Sequence, residues 1–242
     1  MALFCKVGHI TLEVHILPQL YINKPRKIKI MGKLYDSLLS GTSGRTGRIV
    51  VANVYGNEFT KIRPRKRTKA PTPKQKLIQD RMSSCATFMQ SYRNYACNYF
   101  GNRIGMKSPY NLAMTNLMSN FNIDYVTSTI TPNYPGIFFS KGNLLAVIGN
   151  PPTLPTAETL EVSWQNNSGG NVLRDADLAQ ILIAADDDLN TLFIENAAKR
   201  EDAKYIVTLP MHLQGKKLNV WLAFKNEDET NASNSLYLGS IS

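Results

Sequence analysis

Apolar positions recur between residues 78 and 99 at intervals of four and three: Ile78, Met82, Cys85, Met89, Tyr92, Ala96 and Tyr99. That spacing lays one apolar stripe along an α-helix. Thr72-Pro73-Lys74-Gln75 supplies its start. Threonine caps, proline fits the first helical position, and glutamine three residues on completes a capping box. The pattern predicts a single helix from Pro73 to about Phe100, ended by Gly101. Ser108-Pro109 opens a second, shorter helix by the same chemistry, with Leu112, Ala113, Leu117 and Phe121 on its apolar side. The two are expected to pack as an antiparallel pair.

Strand patterns flank the helices. Arg48 to Tyr55 is rich in β-branched residues, Gly56-Asn57 reads as a two-residue hairpin turn, and Glu58 to Ile62 is the return strand. Beyond Thr131-Pro-Asn-Tyr-Pro-Gly136 the pattern is all-β. Strands are expected near Ile137–Phe139, Leu144–Ile148, Thr159–Trp164, Ala179–Ala184, Thr191–Glu195, Lys204–Leu209, Leu218–Phe224 and Ser235–Leu238. Residues 160–164 and 218–224 alternate as half-buried antiparallel strands do. The expected fold class is α+β. A β-hairpin plus two-helix module (31–132) precedes an immunoglobulin- or fibronectin-III-like sandwich (133–242), with Trp164 and Trp221 anchoring the sandwich core.

Charge divides the chain in a way its total of +10 conceals. From Lys24 to Lys107 nineteen Lys and Arg face three acids, Asp36, Glu58 and Asp80, a formal +16. From Ser108 to Ser242 eight bases face fourteen acids, a formal −6. The densest part is Arg63-Pro-Arg-Lys-Arg-Thr-Lys-Ala-Pro-Thr-Pro-Lys-Gln. Arg63, Arg65, Lys66, Arg67, Lys69, Lys74 and Lys76 are therefore the candidate residues for binding an anionic partner. About six phosphate contacts would give a log–log salt slope near −5. Tyr92, Tyr95, Tyr99 and Phe100 read either as stacking faces or, better, as core.

Other motifs exclude more than they offer. Gly41, Gly44 and Gly47 fit neither the phosphate-binding loop nor the dinucleotide fingerprint; they read as sites of close backbone approach or of a bulged strand. Asp186, Asp188 and Asn190 imitate a calcium loop, but Thr191 stands where glycine is needed and Ala197 where glutamate is needed. His212 reads as a turn residue, and His9 and His15 lie near the N-terminus. Cys5, Cys85 and Cys97 show no redox or metal spacing, and the last two read as core residues of one helix. No hydrolase or metalloprotease motif occurs. The expectation is a protein without enzymatic activity, cofactor or metal. Residues 1–30 read either as a translated upstream region, with Met31 the start, or as a genuine arm with a strand near Ile10 to Leu17. No export signal is recognised, so a cytoplasmic or virion-associated location is expected.

From Gly32 onward the chain resembles a bacterial family known only as a domain of unknown function (DUF family 6266), found mostly in Bacteroidetes. The residues that carry the resemblance are Gly41-x-x-Gly44-x-x-Gly47, the hairpin to Gly56, Arg63-Pro64, and Thr72-x-x-Gln75 opening a helix with Arg81 and Phe88. Ser140-Lys-Gly142-x-Leu144 and Ser233-Asn-Ser-Leu-Tyr-Leu-Gly239 complete them. The resemblance covers nearly all of Met31 to Ser242. It implies a small hairpin-plus-helix module before an Ig-like sandwich, and it brings no activity and no functional residues.

The expected function is a structural or interaction protein. Its basic module would dock an acidic or anionic partner, and its sandwich would offer a second protein-binding surface. Charge-complementary halves would also allow head-to-tail self-association. Such modules suit an assembly component of a phage or other mobile element. The alternative is non-sequence-specific nucleic-acid binding through residues 63–76.

Overall fold

The computed structural model describes residues 31–64, 66 and 68–242. The questions raised by residues 1–30, including His9, His15 and Cys5, lie outside the described residues, as do Arg65 and Arg67. Among the described residues four helices and thirteen strands in antiparallel sheets make the fold α+β. The chain parts into two compact units, the first ending at Arg65 and the second running from Lys66 to Ser242. The division expected after residue 132 is thus displaced to the basic run. The helices share a core with the C-terminal sheets and do not form a module with the hairpin.

The first unit is a four-stranded sheet in the order β1-β4-β3-β2, with β1 at Met31–Lys33, β2 at Gly44–Thr46, β3 at Ile49–Val54 and β4 at Asn57–Ile62. The β3–β4 turn is Tyr55-Gly56, one residue earlier than the pattern predicts. Both residues have positive φ, 53° and 78°, and Val54 pairs with Asn57 across it. Positive φ at both central positions is the turn whose twist suits adjoining strands. Gly41, Gly44 and Gly47 also have positive φ, with open space where a side chain would stand. They are required for backbone conformation, and the expected close approach is absent.

In the second unit α1 spans Pro73–Met89 and α2 spans Arg93–Tyr99. The single predicted helix breaks at Gln90–Tyr92. Thr191 Oγ1 donates to the Phe88 carbonyl at 3.0 Å, the group that Tyr92 N–H would otherwise use. The Tyr92 amide turns to the Met89 carbonyl instead, and the ladder resumes with Ala96 N–H on the Tyr92 carbonyl. The buried face shifts accordingly. Leu77, Cys85, Phe88, Met89, Tyr92, Tyr95 and Ala96 are inside, while Ile78 and Met82 are 42 % and 46 % exposed. The capping box is present, Gln75 N–H on Thr72 Oγ1 and Thr72 N–H on Gln75 Oε1. Helix α3, Pro109–Asn120, is capped by Ser108 and packs on both α1 and α2. Phe121, expected on that helix, opens a hairpin of β5 (Phe121–Asp124) and β6 (Thr129–Pro132).

Seven further strands follow: β7 (Thr153–Thr156), β8 (Thr159–Ser163), β9 (Leu178–Ala185), β10 (Thr191–Ile194), β11 (Lys204–Thr208), β12 (Leu218–Lys225) and β13 (Leu236–Ile241). A one-turn helix α4, Val172–Asp175, precedes β9. The strands form two sheets, β11-β8-β7 and β10-β9-β12-β13. Residues 137–139 and 144–148 are not strands, and β7 is one that the pattern did not predict.

Alternation along β9 and β12 explains the layering. Ile181 and Ile183, with Val220, Leu222 and Phe224, meet Leu160, Val162 and Trp164 of the smaller sheet. Leu182, Ala184, Trp221 and Ala223 point the other way and meet Phe88, Tyr92 and Leu117 of the helices. The four-stranded sheet is thus covered on both faces. For this reason β12 is buried at every position rather than half-buried, and Trp221 anchors the helix layer, not the space between sheets. Trp164 does lie between the sheets.

Candidate functional site

Two places carry chemistry that packing does not account for. The first is the basic run. Arg63 ends the β-sheet of the first unit, its N–H donating to the Arg48 carbonyl at 2.8 Å, and its side chain is exposed. In the second unit Lys66 and Lys69 precede α1, and Lys74 and Lys76 occupy its first turn. All four are exposed. Lys74 Nζ lies 5.9 Å from the Tyr125 ring centroid. No acid stands in the first turn, where the helix dipole favours one. The six ion pairs among the described residues lie between Asp177 and Glu229 and include none of these bases. Of the aromatic residues weighed as stacking faces, Tyr92, Tyr95 and Phe100 are buried and belong to the core.

The second place is a cleft that the sequence did not disclose. Gly101 ends α2 at a positive φ of 70°, and its N–H donates to the Lys141 carbonyl at 2.6 Å. Lys141 N–H returns to the Tyr99 carbonyl at 2.8 Å. Residues 139–142 are held from the other side by the stretch before β13. Ser140 Oγ donates to the Ser233 carbonyl at 2.7 Å, Phe139 N–H to Ser235 Oγ at 3.1 Å, and Gly142 N–H to Asn234 Oδ1 at 3.1 Å. Ser140 and Ser233 are fully buried. The two motifs Ser140-Lys-Gly142 and Ser233-Asn-Ser235 therefore form one seam. A side chain at position 142 would put Cβ 2.0 Å from the Ala232 carbonyl oxygen. We expect Gly142→Ala to cost about 1–3 kcal/mol through forced backbone displacement. Urea unfolding monitored by tryptophan fluorescence checks this; an unchanged midpoint would refute the seam.

The seam divides two hollows that share Gly101, Asn102, Lys141 and Asn234. One, about 590 Å³, is walled by Phe100, Ile104, Leu112 and Phe138, with α3 as its floor. The polar groups beside it are occupied: Asn116 Oδ1 accepts from Phe138 N–H at 2.9 Å, and its Nδ2 donates to the Gly136 carbonyl. The other, about 570 Å³, is lined by Asn98, Asn143, Thr230 and Asn231 as well as the shared residues. No carboxylate lines either hollow. Tyr99 borders the polar one, its hydroxyl donating to the Glu229 carbonyl at 2.8 Å. Burial raises the Tyr99 hydroxyl above the usual tyrosine range, and Lys225 opposes that shift.

The remaining candidates resolve into structure. His212 lies in a short 3-10 turn, Met211–Leu213, and is exposed. Asp186 is taken by Lys217 Nζ at 2.9 Å and Asn219 Nδ2 at 3.0 Å, and Asp188 caps the turn by accepting from Asn190 N–H. No group of three His, Cys, Asp or Glu side chains able to hold a metal occurs among the described residues. Cys85 is buried in the helix layer, and burial pushes its thiol up to about 11, so it is protonated at neutral pH. Cys97, expected in the core, is exposed on α2. Among the described residues no helix is long and apolar enough to cross a membrane.

No curated protein matches the chain. A family model does, over residues 41–239, a span that takes in the glycine-rich turns, the capped helix and both halves of the buried seam. The chain belongs to that family, the family of unknown function DUF6266.

Proposed function

We propose that this protein is a non-enzymatic structural or interaction protein whose basic segment, Arg63 to Lys76, docks an acidic or anionic partner. The observation that carries the reading is the uneven fate of the two charge signs. The described bases from Lys33 to Lys76 enter no ion pair among the described residues. By contrast six acids of the second unit, Asp177, Asp186, Asp187, Glu195, Glu201 and Glu229, are held by that unit's own Lys and Arg. The basic segment is thus left for an anion from outside its own unit, and an external polyanion and the eight unpaired acids of residues 108–242 on a second copy both fit it. Two lysines at the positive end of α1 add to a field that an anion would relieve.

The two sheets are read as a fibronectin-III-like sandwich. Three strands and four strands pack face to face, and their chain order places the first, second and fifth together and the third, fourth, sixth and seventh together. In this reading the sandwich is a scaffold and a second binding surface. A place in the assembly of a phage or mobile element is a proposal by analogy with such modules.

The test uses the full chain with Lys66, Lys69, Lys74 and Lys76 changed to Glu. All four are exposed, so folding is preserved. Partners captured from the native source by the parent should be lost with the variant. Loss of the parent's partners on nuclease treatment identifies the nucleic-acid alternative, and survival identifies an acidic protein. Equal capture by parent and variant would sink the docking role.

A further inference from the structure

The cleft between α2, α3 and the seam has two halves of opposite chemistry, and the bonds within its walls decide what it presents. Asn234 Oδ1 is committed to Gly142 N–H, and Asn231 Oδ1 accepts from Ala232 N–H at 2.9 Å. Each carboxamide is thereby fixed with its oxygen turned to the backbone. The Nδ2 donors of both side chains have no partner among the described residues. Lys141 lines both hollows and enters no ion pair among the described residues. The polar half thus offers two oriented N–H donors and an ammonium, with no lining acid to neutralise them. The apolar half opens off the same four residues and holds Phe100, Ile104, Leu112 and Phe138. Each half falls within the size range of small-ligand sites.

We propose that this cleft binds a carboxylate carried on an apolar group. Lys141 and the Nδ2 groups of Asn231 and Asn234 take the carboxylate through charge-assisted hydrogen bonds. The apolar body enters the half walled by Phe100 and Leu112. A neutral hydroxyl-rich ligand would use the carboxamides but leave the apolar half unfilled. A cation would be repelled by the Lys141 ammonium and would find no lining carboxylate. Two sources share the favoured chemistry, a free fatty acid and the C-terminal carboxylate of a chain ending in an apolar residue. The buried Ser140–Ser233–Ser235 network ties together the two stretches that carry Lys141 and Asn234, which favours donors oriented before the ligand arrives.

The experiment is calorimetric and NMR titration of the full chain with four probes: decanoate, decanol, a hexapeptide ending in phenylalanine as the free acid, and the same peptide amidated. Saturable binding of decanoate, of the acid peptide, or of both supports the proposal and names the source. The decanol and amide controls should bind at least about tenfold more weakly, the loss of one charge-assisted interaction. The decisive variant is Asn234→Asp. Its carboxylate still accepts from Gly142 N–H, so the seam is kept, while a donor is replaced by a negative charge. Binding should fall by at least about tenfold with the melting temperature unchanged, and Lys141→Met should act in the same direction. Failure of both acids to bind, equal binding of acids and neutral controls, or unchanged binding by Asn234→Asp would each overturn the proposal. None of these outcomes depends on the basic segment, so this site and the docking role stand or fall separately.

Discussion

Replacing Arg200 by methionine is expected to destabilise the protein by about 3–5 kcal/mol, the usual consequence of removing one partner from a buried ion pair. The Arg200 and Asp177 side chains are 0 % and 2 % exposed, and Arg200 Nη2 lies 3.0 Å from Asp177 Oδ2. The guanidinium also donates to Asn167 Oδ1 at 2.6 Å and to the Leu145 carbonyl at 3.2 Å, and it stacks 3.8 Å from the Phe224 ring centroid. Methionine fills much of the volume but leaves the Asp177 carboxylate uncompensated in an apolar setting. At about 2–4 °C per kcal/mol for a domain of this size, the melting temperature should drop by roughly 6–20 °C. The double variant Arg200→Met with Asp177→Leu removes both charges and should recover most of the loss. Thermal unfolding by circular dichroism reads both. A double variant as unstable as the single one would show that the contribution is packing and not charge.

Trp221→Ala should cost about 3–5 kcal/mol for a different reason. Trp221 is fully buried on β12 at the junction of two layers, facing the helices. Its ring lies 6.2 Å from Phe88, 6.0 Å from Tyr134 and 5.3 Å from Tyr237, centroid to centroid. Phe88 in turn packs edge-on to Phe121 at 5.6 Å. Alanine would leave a cavity where α1, the turn at Tyr134 and β13 converge. Because Trp164 lies between the sheets and Trp221 beneath the helices, each reports on its own layer. If helices and sheets form one cooperative unit, denaturant unfolding of Trp221→Ala followed at Trp164 should shift by the full amount. A Trp164 transition that stays in place would show that the helix layer unfolds separately.

Local chemistry was legible in the sequence and long-range partnership was not. The capping box at Thr72, the Ser108 cap, Gly101 and the strand at residues 159–163 could be read because each rests on residues within a turn or a short alternation. The break at Gln90–Tyr92 could not, because it depends on a hydroxyl from Thr191, a hundred residues away. The apolar stripe ran through the break without a sign of it. The double coverage of β9 and β12 was hidden for the same reason. A strand such as β12, in which Asn219, Trp221 and Ala223 alternate with Leu218, Val220, Leu222 and Phe224, reads as half-buried unless a third layer is known to lie above it. No local pattern marks Arg200 as buried, because its partner Asp177 is 23 positions back. The cleft is built from α2's end, α3, the seam and the stretch before β13. Its one sequence signal was the pair of family motifs around Gly142 and Asn234, which could be seen but not assigned to each other. The basic run is the opposite case. Charge density needs no tertiary context, and Lys66, Lys69, Lys74 and Lys76 are all exposed.

The most direct test of the docking role is fluorescence anisotropy of a labelled DNA duplex and of labelled polyglutamate, titrated with the full chain across a salt series. Parent protein is predicted to bind at least one of them with a log–log salt slope near −5, and the variant with Lys66, Lys69, Lys74 and Lys76 changed to Glu should lose that binding. No salt-dependent binding of either polyanion by the parent, or binding by the variant with an unchanged slope, would contradict the assignment of the basic segment.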